Sequence, residues 1–84
     1  MDDFRVYVIV EMPILDKKYE MFIPIDRRIH DIIKVLKNTI PGLTECYYER
    51  HEPNIYNKST GDVYDMNLVI KNSNIKMGTR LILL

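Results

Sequence analysis

The chain has 84 residues, 46% of them hydrophobic, which is enough for one small domain with a thin core and predicts a single unit over residues 1–84. Twelve basic residues balance twelve acidic ones, so the formal net charge is zero. That removes the electrostatic basis for binding nucleic acid or an anionic membrane, and no apolar run approaches the roughly 20 residues that cross a bilayer.

The first element is FRVYVIVEM, Phe4–Met12. It is rich in β-branched residues and alternates, with Phe4, Val6, Val8 and Val10 on one face and Arg5, Tyr7, Ile9 and Glu11 on the other. Pro13 and Asp16 then signal a turn. KYEMFIPI, Lys18–Ile25, reads as a second strand that pairs antiparallel with the first. Tyr19, Met21, Ile23 and Ile25 share one face; Glu20, Phe22 and Pro24 share the other. Pro24 lacks an N–H, so this strand belongs at a sheet edge or ends there.

Ile29, Ile32, Ile33, Leu36 and Ile40 follow at the spacing of one helical stripe. Asp26 is the expected N-cap, Asp31 and the lysines Lys34 and Lys37 suit the helix dipole, and Pro41-Gly42 stops the helix. Leu43–Pro53 is a loop or a short helical turn. NIYNKSTGDVYDM predicts two short strands around a Ser59–Asp62 turn, with Gly61 supplying a positive φ. An irregular segment then carries Leu68, Ile70 and Ile75 inward, and Arg80–Leu84 is the final strand. A helix-containing crossover permits the first and last strands to pair in parallel. The expected fold is α+β: a mixed four- to five-stranded sheet with one main helix packed on one face.

IYNKSTGDVYD and IKNSNIKMGTRLILL resemble the second half of ubiquitin-like β-grasp domains, where a short strand and turn lead through an x-x-N-I-x-x-G-x-x-L turn into the last strand. The opening hairpin and the IPID entry into the helix fit the first half. The similarity covers the chain except Leu43–Pro53. More narrowly, the chain resembles the small bacterial YukD-type ubiquitin-like proteins, which implies an accessory role in type VII secretion. The resemblance places Tyr56 at the centre of ubiquitin's binding patch and Ile82 and Leu84 at its other strand positions. Conjugation and sulfur-carrier chemistry use a mobile Gly-Gly tail. This sequence ends on Leu84, so neither function is expected, although a relative that has lost or conceals its tail is the rival reading.

In this register Leu81 and Leu83 face the helix, and Tyr7, Ile9, Tyr56, Ile82 and Leu84 face outward. Five apolar side chains on one face predict a protein-binding surface, used by another protein or by a second copy in a homodimer. The plainer alternative is that Leu43–Pro53 covers them or that they are scattered exposures. Catalysis is not expected. Cys46 and His51 are the candidates for a small metal site or a nucleophilic pair. A closed zinc site needs four ligands and a nucleophile needs an orienting group, so no metal and no cofactor is expected. The single cysteine and the absence of a signal-peptide pattern predict a reducing, cytoplasmic setting. Lys17-Lys18 and Arg27-Arg28 form a phosphate-binding patch only if they meet at one end of the sheet.

Overall fold

The computed structural model describes residues 4–47 and 52–84. Four strands, β1 (Arg5–Met12), β2 (Lys17–Pro24), β3 (Ile55–Asn57) and β4 (Thr79–Leu83), form one mixed sheet in the order β2-β1-β4-β3. β1 and β2 are antiparallel, with Arg5 opposite Pro24 and Met12 opposite Lys17. β1 and β4 are parallel, with Val8 opposite Thr79. β3 joins β4 antiparallel, with Tyr56 opposite Ile82. The expected hairpin and crossover are therefore both present, and Pro24 does sit on an edge strand.

The helix α1 (Ile29–Thr39) buries Ile29, Ile32, Ile33 and Leu36. It packs against the face carrying Val6, Val8, Val10, Met12, Ile23, Leu81 and Leu83, all of them buried. Ile70 and Ile75 close the core from the segment before β4, and Leu68 packs against it half-buried. The alternation of the strands and the helical stripe thus meet in one apolar layer.

Several boundaries differ from the sequence reading. Phe4 lies ahead of β1 and is exposed, although its carbonyl still accepts the Ile25 N–H at 2.8 Å. Asp26 does not cap α1. The N-cap residue is Arg28, whose N–H donates to the Asp31 carboxylate at 3.3 Å. The second arm of the predicted hairpin after β3 shrinks to an isolated bridge between Tyr56 and Val63. The Asn57 side chain explains this: its Oδ1 accepts the N–H groups of Ser59 and Thr60 at 2.8 and 3.1 Å, which curls the chain before a second strand can form. Tyr64 is then turned inward and donates to Asn74 Oδ1 at 2.6 Å. Gly61 takes the expected positive φ of 80°. Leu43–Cys46 is a one-turn helix.

Candidate functional site

The register fixes which side chains share the sheet face opposite α1. Tyr7, Ile9 and Glu11 come from β1, and Lys18, Glu20 and Phe22 from β2, as the pairs Tyr7/Phe22, Ile9/Glu20 and Glu11/Lys18. β4 contributes Arg80 opposite Ile9 and Ile82 opposite Glu11. Tyr56 of β3 lies beside Ile82. Just past β4, Leu84 exchanges both backbone hydrogen bonds with Asn54, at 2.7 and 3.0 Å.

Tyr7, Ile9, Tyr56, Ile82 and Leu84 therefore do share a face, with Leu84 52% exposed and the other four half-buried by their neighbours. They form a diagonal band rather than a compact cluster. Arg80, not an apolar residue, stands directly beside Ile9, and Glu11 stands beside Ile82. Diagonal neighbours in a sheet are still within reach of long and aromatic side chains, so Ile9 connects to Ile82 across β1 and β4.

Phe22 belongs to the band and was missed as a site residue in the sequence. It is 59% exposed, and its ring centroid lies 5.8 Å from that of Tyr7 at an interplanar angle of 60°. The Arg5 guanidinium carbon is 5.8 Å from the same ring centroid, a cation–π placement. The signal was available, because KYEMFIPI alternates and sets Phe22 on the face opposite Met21 and Ile23. Met77, 64% exposed, adds to the same end of the face, where its sulfur accepts the Tyr7 N–H at 3.3 Å.

Charge frames this band. Lys58, next after β3, donates to the Glu11 carboxylate, so the pair reaches across β4 beside Ile82. The hydrogen bond from Lys58 holds the Glu11 carboxyl below its ordinary value of 4.5, with Lys18 and Arg80 adding to the effect against desolvation. A carboxyl depressed in the fold contributes stability above its unfolded value, and that contribution is lost as pH falls below about 4.5 through the lower folded value. Carboxyl titration followed by NMR is expected to place Glu11 below 4.5 in the wild type and to return it toward that value in Lys58→Ala. An unchanged titration in the variant counts against the ion pair. At the other end, desolvation raises the Tyr7 phenol, with nearby Glu20 adding to it.

Leu43–Pro53 does not cover the face where it is described. Leu43 and Pro53 are buried, Thr44 Oγ1 donates to the Lys37 carbonyl at 2.7 Å, and Glu52 pairs with Lys37 at 3.1 Å. These contacts anchor the segment on α1, on the other side of the sheet. Of the candidate pair, Cys46 is half-buried and His51 lies outside the described residues, as do Tyr48 and Glu49. Among the described residues no group of three or more His, Cys, Asp or Glu is arranged to hold a metal ion. The two basic pairs do not meet: Lys17 is opposite Met12 at one end of β2, and Arg27-Arg28 follow Pro24 at the other. Asn57-Lys58-Ser59 matches the N-x-S/T glycosylation pattern, but its asparagine is buried, with Nδ2 donating to the Tyr64 hydroxyl at 2.9 Å.

No family model matches the sequence, and no curated protein matches it. Solved structures do match the fold. A chain from a study of molecular mimicry of SUMO in DNA repair superposes with a TM-score of 0.76 at 13% identity, over 100% of this chain and 95% of its own. An N-terminal ubiquitin-like domain solved in solution gives 0.72 at 12% identity, over 99% and 76% of the two chains. The ubiquitin-like domain of an Arabidopsis thaliana protein gives 0.70 at 10% identity, over 95% and 76%. The fold is thus that of ubiquitin-like domains. No helix among the described residues is long and apolar enough to cross a membrane.

Proposed function

We propose that this ubiquitin-like module is a non-catalytic protein-binding domain that uses the sheet face opposite α1. The observation that carries this reading is the diagonal band Phe22–Tyr7–Ile9–Ile82–Tyr56, with Leu84 beyond it, on a face that the described part of Leu43–Pro53 leaves open. An apolar band flanked by Glu11, Lys58, Glu20 and Arg80 has the anatomy of an interface, with grease at its centre and charge at its rim.

Each large side chain buried in a complex contributes about 1.5–3 kcal/mol before the cost of association is subtracted. A carboxylate at the centre of the band removes that contribution and adds a desolvation cost. Ile82→Asp and Tyr56→Asp are therefore each expected to weaken partner capture by about tenfold or more. Both positions are only half-buried, so amide spectra are expected to show the fold intact. The measurement is affinity capture from the source cell, wild type against the two variants. Equal recovery of the same partner by all three proteins removes this face from consideration.

The finer reading is an accessory role in bacterial type VII secretion, in the cytoplasm. It rests on the resemblance of the domain's small size and its Gly78-Thr79-Arg80-Leu81 ending to the YukD-type proteins. Capture of a component of that secretion machinery, lost in Ile82→Asp, is the expected result; capture of unrelated proteins only would end it.

A further inference from the structure

The strand order β2-β1-β4-β3 leaves two sheet edges, and they are treated differently. The β3 edge is closed by its own chain, since Tyr64 N–H donates to the Ile55 carbonyl at 2.9 Å and Asn57 N–H to the Asp62 carbonyl at 2.8 Å. No described residue closes β2 in this way. Ile25 N–H donates to Phe4 at 2.8 Å, and bonded pairs alternate along an antiparallel ladder. The odd residues of β2 therefore bond to β1. The N–H and C=O groups of Lys18, Glu20 and Phe22 point out from the edge. Pro24 has no N–H to offer, and Asp16, left-handed at φ 53°, spends its N–H on the Pro13 carbonyl at 3.0 Å. The usable edge is Lys18–Phe22.

We propose that this edge binds the β2 edge of a second copy of the chain, antiparallel and centred on Tyr19. Charge selects the partner and the register. Centred on Tyr19, Lys18 lies opposite the second copy's Glu20 on the outer face, and by symmetry Glu20 lies opposite its Lys18. Each of these pairs exchanges two backbone hydrogen bonds. The helix-side stem of Lys17 lies over the second copy's Met21. Centred on Glu20, the same strands would set carboxylate against carboxylate. Exposed edge lysines ordinarily discourage pairing; in this register Lys18 meets a carboxylate of the second copy instead of another lysine. Glu20 and Phe22 of this edge also border the band argued above, but Ile82 lies on β4, away from the edge, so Ile82→Asp is expected to leave the dimer intact.

The test is sedimentation equilibrium on the whole chain, with a charge-swap series and single-cysteine cross-linking in a Cys46→Ser background. Wild type is expected to dimerise. Lys18→Glu, which sets Glu against Glu at both pairs, is expected to raise the dimer dissociation constant about tenfold or more, and Lys18→Glu/Glu20→Lys to restore it. Tyr19→Cys is expected to form a disulfide-linked dimer on mild oxidation, because the central pair is a close, non-hydrogen-bonded one. The Lys18 and Glu20 amides are expected to exchange more slowly as concentration rises. A wild-type protein that stays monomeric at millimolar concentration overturns the proposal. So does a Phe22→Cys variant that cross-links in place of Tyr19→Cys, or a Lys18→Glu variant that dimerises as tightly as wild type.

Discussion

Leu83→Ala is expected to destabilise the domain by about 2–5 kcal/mol. Leu83 has no exposed surface. It sits on β4 opposite Ile55 and belongs to the buried cluster that also holds the α1 stripe. Truncation there leaves a cavity walled by two strands and a helix, none of which can close in without breaking its own ladder or packing. A domain of this size holds about 5–15 kcal/mol in total, so one leucine carries a large part of it. The thermal midpoint by circular dichroism is expected to fall by about 4–8 °C for each kcal/mol lost. Leu84→Ala is the internal control: Leu84 is 52% exposed, and its change is expected to stay within about 0.5 kcal/mol. Equal effects at the two leucines would show that the register of the last strand is wrong.

Asn57→Ala is expected to cost about 2–3 kcal/mol. Asn57 is the buried polar residue of the described core. Its Oδ1 holds the N–H groups of Ser59 and Thr60, and its Nδ2 donates to the Tyr64 hydroxyl. Alanine removes the acceptor that holds the Ser59 and Thr60 N–H groups and takes from the Tyr64 hydroxyl one of its two partners, Asn74 being the other. Tyr64→Phe keeps the turn bonds and loses the hydroxyl alone, so its cost is expected to be the smaller of the two. Chemical denaturation of both variants gives the ranking. Because Asn57 follows Tyr56 directly, Asn57→Ala is also expected to loosen the presentation of Tyr56 on the outer face. A reversed ranking would place the energetic weight on the Tyr64–Asn74 bond at 2.6 Å rather than on the turn.

The parts of the fold that were readable in the sequence are those with a sustained period. Val6, Val8 and Val10, the Ile29–Leu36 stripe, and Leu81 with Leu83 each announce a buried face through repetition, and all are buried. What was not readable depends on a choice between near-equal partners. Asp26 is chemically able to cap α1, but the backbone places Arg28 at the N-cap and Asp31 one turn in, where it accepts the Arg28 N–H. The second arm after β3 competed with a side chain, and Asn57 captured the donors that a strand would have used. On the outer face the period told which residues point out but not which ones touch. Only the β1–β4 register reveals that Arg80 stands beside Ile9 and Glu11 beside Ile82, which turns a presumed apolar cluster into a band with charged margins. Phe22 was legible as an outward residue, but only the β1–β2 register sets it against Tyr7 and so joins it to the band.

The parallel pairing of β1 with β4 puts strands from distant parts of the sequence at the centre of the sheet, with Val8 opposite Thr79. During synthesis β1 and β2 emerge early, yet β1 has no second neighbour until the final strand leaves the ribosome. Closing so long a loop must precede the reward of the contacts it makes, which slows folding relative to chains whose contacts are local. Until that moment the face of Val6, Val8 and Val10 is covered on one flank only. The nascent domain is therefore open to chaperones, and to mispairing, for nearly the whole time it takes to make it.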